Sequence, residues 1–91
     1  MKLADKTILL TGASGGIGSA LAQMLAAEGA RLILQGRQLA RLERLRAQLP
    51  EPERHRCLSA DLATSGGRDQ LLHDPALPGS IDILINNAGS N

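Results

Sequence analysis

Eight residues near the amino terminus, Thr11-Gly12-Ala13-Ser14-Gly15-Gly16-Ile17-Gly18, have the types and spacing that suit phosphate binding. They follow a short apolar run, Thr7-Ile8-Leu9-Leu10, and open a helical pattern. In that setting Gly12 can take the backbone angles of a sharp exit from a strand. Gly16 lets the main chain approach a pyrophosphate, and Gly18 lets the helix pack close to the sheet. The helix N-terminus adds unpaired N–H groups and partial positive charge, and Ser14 adds a hydroxyl donor. The spacing is G-x-x-x-G-x-G rather than G-x-G-x-x-G, and a glycine-rich turn can also serve only as a helix cap. No Lys-Ser or Lys-Thr follows Gly18, which argues against a mononucleotide P-loop.

A second cluster, Asn86-Asn87-Ala88-Gly89, closes another apolar run. Taken alone it reads equally well as a turn, because Asn and Gly both tolerate positive φ. Cys57 reads as a small core residue on a strand, with a reactive thiol as the alternative. His55 and His73 are isolated, and no Cys/His spacing suggests a metal site. Arg37, Arg41, Arg44, Arg46, Arg54 and Arg56 form a basic region. Glu43, Glu51 and Glu53 interleave with them and no aromatic residue is available to stack on bases, so a solvated face is expected rather than a nucleic-acid surface.

The elements that must position these groups alternate. Thr7–Leu10, Arg31–Gln35, Arg54–Ser59 and Ile81–Ile85 read as strands, the first, second and fourth as near-continuous apolar runs covered on both faces. Between them, Ile17, Leu21, Met24 and Leu25 share the inner face of a first helix ended by Gly29. Leu39, Leu42, Leu45 and Leu49 form the inner stripe of a second helix over Gln38–Gln48, stopped by Pro50 and Pro52. Ser65–Leu72 gives a short third helix. Strand–helix alternation of this kind means a parallel sheet with helices packed on it.

Ninety-one residues suffice for one domain and are too few for two. The net charge of +1 gives no reason to expect nucleic acid or an acidic membrane surface as a partner. The first ten residues contain Asp5 and only a three-residue apolar run, unlike a signal peptide or a membrane span. A single cysteine excludes an intrachain disulfide and agrees with a cytoplasmic location.

Thr11–Gly18 at the end of one strand, with Asn86-Asn87-Ala88-Gly89 at the end of the last, resembles the paired signature of the short-chain dehydrogenase/reductases. The likeness runs over essentially the whole chain, including Gly29-Ala30 before the second strand and Asp61-Leu62 after the third. It implies an α/β fold, a Rossmann-type doubly wound parallel sheet ordered 3-2-1-4, with the chain ending after the fourth strand. Gly12, Ser14, Gly16, Ile17 and Gly18 would line the pyrophosphate site. Asp61 would take the adenine amino group, with Leu62 packing nearby; its alternative is a solvated carboxylate or a cap. Asn87, Ala88 and Gly89 would border the cofactor's ribose, and the Asn pair would tie neighbouring strands together.

In dinucleotide folds an acid at the end of the second strand selects NAD, whereas an arginine there accommodates the 2′-phosphate of NADP. The resemblance puts that acid's place at Gly36, and Arg37 follows it. NADP is therefore expected over NAD, although Gly15 stands where many NADP users carry a further Lys or Arg. A solvated surface arginine is the alternative for Arg37.

The resemblance also implies a Ser and a Tyr-x-x-x-Lys beyond the NNAG segment, with the Tyr moving the proton. This chain has no tyrosine, and its two lysines, Lys2 and Lys6, precede the first strand. The expectation is an NADP-dependent oxidoreductase acting on a carbonyl or alcohol, represented by its dinucleotide-binding half and inactive alone. A non-catalytic dinucleotide-binding or interaction module is the second reading, and a basic nucleic-acid-binding fragment the third. Without later elements, Ile81–Ile85 would be an exposed apolar edge. The expected contacts between subunits would also lie in missing helices, so no oligomer is predicted.

Overall fold

The computed structural model describes residues 3–73 and 81–87. Four strands, β1 (Thr7–Leu10), β2 (Arg31–Gly36), β3 (Arg56–Ser59) and β4 (Ile83–Ile85), form one parallel sheet in the order β3-β2-β1-β4. Ile8 pairs with Leu32 on one side and Ile83 on the other, and Leu34 pairs with Cys57. The chain builds outward from β1 through β2 to β3 and then crosses to the other side of β1. Strand order thus reverses between β1 and β4, where open α/β sheets form a crevice at their carboxyl ends.

Both faces of the sheet are apolar, which is why its strands read as continuous runs. Ile8, Leu10, Leu32 and Leu34 lie on one face under α1 (Gly16–Ala27) and α2 (Leu39–Gln48). Leu9, Ile33 and Leu58 lie on the other, with Leu71 of α3 (Ser65–His73) packed against them. The core holds no aromatic ring and is filled by aliphatic side chains, the largest of the inaccessible ones being Ile8, Leu10, Leu32, Leu34, Leu42 and Leu58.

Two helix faces differ from the sequence expectation. In α1 the inward residues are Gly18, Ala22, Leu25 and Ala26, while Ile17 and Met24 are 70% and 56% exposed. At Gly18 the helix packs against the backbone of the Gly12 turn, and Leu21 stays half-buried against the same core as Ala22, Leu25 and Ala26. In α2, Leu42 and Leu45 are buried, as is Leu49 just past its end, but Leu39, the first helical residue, is half exposed.

Strand ends also shift. Residues Pro52–Arg54 form a 3-10 turn, so β3 begins at Arg56 rather than Arg54. Asp82 uses both its main-chain N–H and its carboxylate on Thr7, donating to the carbonyl at 2.9 Å and accepting from the N–H at 2.8 Å. Regular pairing of β4 therefore starts only at Ile83.

The first helix ends as its glycine predicts. Gly29 adopts φ +91°, its N–H donates to Ala26 and that of Ala30 to Leu25, the two bonds of a Schellman cap. Among the described residues β4 pairs with β1 alone and Leu84 is 62% exposed. No described helix is long and apolar enough to cross a membrane.

Candidate functional site

At the carboxyl ends of the strands lies a cleft of about 630 Å³. Its walls come from four connections: the turn after β1, the exit from β2, the corner after β3 and the segment after β4. Gly12, Ser14, Gly16, Ile17, Arg37, Asp61, Leu62 and Asn87 all line it. Of the remaining residues singled out in the sequence, Gly18 is buried outside the lining, while Ala88 and Gly89 lie outside the described residues.

The glycines of the turn do different work. Gly12 takes φ +63°, a conformation that favours glycine, and turns the chain out of β1. A Cβ on Gly18 would overlap the Gly12 carbonyl oxygen, so its role is to bring α1 against the turn itself rather than against the sheet. A Cβ on Gly16 would meet no protein atom within 4 Å. Packing therefore does not demand a glycine at position 16, and the open space beside it faces the cleft. The α1 N-terminus has no side-chain cap, leaving backbone donors available there.

At the β2 exit, Gly36 brings its main chain close to its neighbours: a Cβ there would stand 3.1 Å from Leu42 Cδ2 and 3.3 Å from Ser14 Oγ. Arg37 and Arg41 are exposed on the cleft's rim, and among the described residues neither forms an ion pair. Arg41, expected on a solvated face, is indeed exposed, and it stands in the first turn of α2.

The corner after β3 is built on Asp61. Its Oδ1 accepts the Ala63 N–H at 3.0 Å, its carbonyl accepts the Thr64 hydroxyl at 3.1 Å, and Thr64 Oγ1 in turn accepts the Gly67 N–H at 2.9 Å. A Cβ on Gly67 would overlap the Asp61 carbonyl oxygen, so this glycine is what lets α3 close on the corner. Asp61 thus has a turn-forming job, yet its half-buried side chain still borders the cleft, and among the described lining residues it is the only acid.

The two asparagines bind the β4 exit to the turn. Asn87 donates its N–H to Thr11 Oγ1 at 2.9 Å and its side-chain Nδ2 to the Gly12 carbonyl at 3.2 Å; the Thr11 hydroxyl meets Asn86 Oδ1 at 3.1 Å. Gln35, which the strand pattern passed over, lines the same cleft with a buried amide. The only sequence signal for it was a polar amide ending an apolar run just before Gly36-Arg37. Among the described residues no cluster of His, Cys, Asp or Glu is placed to hold a metal.

Comparison with known proteins accords with this architecture. The chain is 35% identical to the NADPH-dependent pterin aldehyde reductase of Arabidopsis thaliana over 97% of its own length and 37% of the relative's. It superposes with a TM-score of 0.82 on glucose dehydrogenase of Caenorhabditis elegans in its apo form, at 37% identity, covering all of this chain and 40% of that one. The RhlG/NADP active-site complex of Pseudomonas aeruginosa gives a TM-score of 0.79 at 34% identity, over 98% of this chain and 36% of that one. The chain therefore spans about two fifths or less of the length of these relatives. The short chain dehydrogenase family model matches residues 6–91, and the chain belongs to that family.

Proposed function

We propose that this chain binds NADP(H) in the cleft and serves as the cofactor-binding part of an oxidoreductase acting on a carbonyl or alcohol. A bound nicotinamide would supply the hydride. The observation that carries the cofactor choice is the β2 exit, where Gly36 leaves no carboxylate to repel a 2′-phosphate and Arg37 and Arg41 flank the opening. Arg41 stands at the positive end of the α2 dipole, where a cation is disfavoured by about 0.3–1 kcal/mol. Stability gives no reason for an arginine there, whereas a dianionic phosphate does. The NADPH dependence named for the Arabidopsis reductase and the NADP bound to RhlG point the same way.

Gly12, Ser14, Gly16 and Ile17 would hold the pyrophosphate, with the open Cβ direction of Gly16 admitting the phosphate oxygens to main-chain N–H groups. Gly18 would contribute by holding the helix close. Asp61 and Leu62 would border the adenine, and Asn87, Ala88 and Gly89 the cofactor's ribose. Proton transfer needs a group that these 91 residues do not offer, since they contain no tyrosine and no lysine beyond Lys6. Turnover is therefore proposed for the whole protein and only binding for this segment, within a cytoplasmic setting.

Fluorescence titration with NADPH and NADH tests this directly, because a chain without tryptophan contributes almost no signal. A hydrogen bond to a charged group contributes about 1.5–3 kcal/mol, so NADPH should bind roughly tenfold to over a hundredfold more tightly. Arg37→Ala should remove most of that preference. Equal affinities for the two cofactors would overturn the NADP assignment.

A further inference from the structure

Gln35 is 2% exposed at the end of an otherwise apolar strand. An amide in such a place is costly unless every polar atom is paired. Its Oε1 accepts the Gly12 N–H at 3.0 Å, and its Nε2 donates to the Ala60 carbonyl at 2.6 Å. Its main-chain carbonyl accepts the Ala13 N–H at 2.8 Å. β1 has ended at Leu10 and β3 at Ser59, so one side chain continues the hydrogen-bond ladder on both sides after regular pairing stops. Gly12 opens the glycine-rich turn and Ala60 precedes Asp61; Gly12 and Asp61 both line the cleft, following the strands on either side of β2.

We infer that Gln35 is a positioning residue whose amide sets the distance between the glycine-rich turn and the Asp61 corner, and so the fit of the cleft to a dinucleotide. The inference rests on the dinucleotide reading above. The geometry fixes the chemistry required at this position. Gly12 offers only a donor and Ala60 only an acceptor, so residue 35 must present an acceptor on one side and a donor on the other, at the length of a glutamine. An apolar side chain of equal size fills the space but leaves a buried N–H and a buried C=O unpaired. Ionised glutamate turns an oxygen against the Ala60 carbonyl, whereas protonated glutamate reproduces both bonds.

The test compares Gln35→Glu and Gln35→Met with the unmodified sequence in the intact protein, by calorimetric titration with NADP⁺ between about pH 5 and 9. Among the described residues, Asp61, beside Ala60, Arg37, two residues beyond Gln35, and Arg41 on the same rim are the charged groups at these walls. They are common to all three proteins, as is the ligand's own titration, so the ratio of dissociation constants isolates position 35. The Glu variant should approach normal affinity at the acid end and weaken roughly tenfold as it ionises; the Met variant should be weak by about that factor throughout. A Glu ratio that stays flat while the protein is folded, or a Met variant within twofold of normal, overturns the inference. Should the ionised Glu variant lose its fold, the Met variant decides. A ligand-free measurement separates this from the cofactor reading: in Gln35→Met the Gly12 amide should exchange with solvent at least tenfold faster, with the Ile8 and Leu10 amides unchanged. If the unmodified protein fails to bind NADP⁺, the cofactor reading falls alone. Unchanged Gly12 exchange sinks the positioning role itself.

Discussion

Gly18 lies directly beneath Gly12, so close that a Cβ on Gly18 would overlap the Gly12 carbonyl oxygen and stand 2.9 Å from the Ala13 Cα. Because backbone cannot be pushed aside like the tip of a side chain, Gly18→Ala must shift either α1 or the turn. A destabilisation of about 1–3 kcal/mol is expected from overpacking of this kind, read as a lower midpoint in urea unfolding. Unchanged stability would mean that the helix approaches the turn less closely.

Gly16 gives the opposite expectation. A Cβ there meets nothing within 4 Å, so Gly16→Ala should leave stability unchanged or raise it by up to about 1 kcal/mol through helix propensity. NADPH binding should nonetheless weaken, because the added methyl would occupy space proposed for the pyrophosphate. Thermal unfolding and a binding titration on the same sample separate the two effects. Full binding by Gly16→Ala would remove this residue from the site.

Exchanging Gly36 for Asp tests cofactor selection from the other direction. The new carboxylate would repel a 2′-phosphate and could accept a ribose 2′-OH, so the preference should move from NADPH to NADH. The change carries a structural penalty, since its Cβ presses on Leu42 Cδ2 at 3.1 Å and Leu42 is fully buried. About 1 kcal/mol of lost stability is expected alongside the altered preference. A variant that still prefers NADPH would place the selecting contacts away from the β2 exit.

Much of this was legible in the residues. The parallel sheet follows from alternating apolar runs, whereas its order 3-2-1-4 and most of the cleft-lining positions were implied only by the family resemblance that the two Gly- and Asn-rich segments carry. What escaped was decided by contacts between distant parts of the chain. Ile17, Leu21, Met24 and Leu25 are spaced as one helical face; Leu21 and Leu25 do pack on the core, but the close approach of Gly18 to the Gly12 turn rolls Ile17 and Met24 outward and brings Ala22 and Ala26 in. Gln35 looked like one more strand residue until the ends of β1 and β3 supplied unpaired groups on either side of it. His55 was read as isolated because nothing near it in sequence shows that it will fill a gap in the β2–β3 ladder.

That His55 is 4% exposed, with Nδ1 3.1 Å from the Leu32 N–H and Nε2 2.9 Å from the Pro50 carbonyl. Leu32 can only donate and Pro50 can only accept, so the ring must carry its proton on Nε2. Nitrogen-15 NMR of the ring should report that tautomer; a proton on Nδ1 would contradict the geometry. His55→Leu leaves the buried Leu32 N–H unpaired and should cost about 1–3 kcal/mol, measured by urea unfolding.

Cys57 is half-buried on β3, with its thiol pushed up from 9.0 to about 12, first by burial and then by the nearby Glu43 carboxylate. Glu43 is itself held below the ordinary carboxylate range by Arg46, 2.9 Å away, so it remains anionic beside the thiol. The thiolate is the reactive form. Alkylation by iodoacetamide at about pH 8 should therefore be at least roughly a hundredfold slower in the folded protein than in urea. Glu43→Gln should speed it by removing the neighbouring negative charge. The sign for stability follows from the raised value. Below about pH 9 both folded and unfolded states keep the proton; above it the unfolded chain loses its proton first. Stability should then decline from about pH 9 towards about pH 12, and Cys57→Ala should flatten that alkaline limb. Fast alkylation of the folded protein that Glu43→Gln does not alter would show that the thiol is neither shielded nor held by its neighbour.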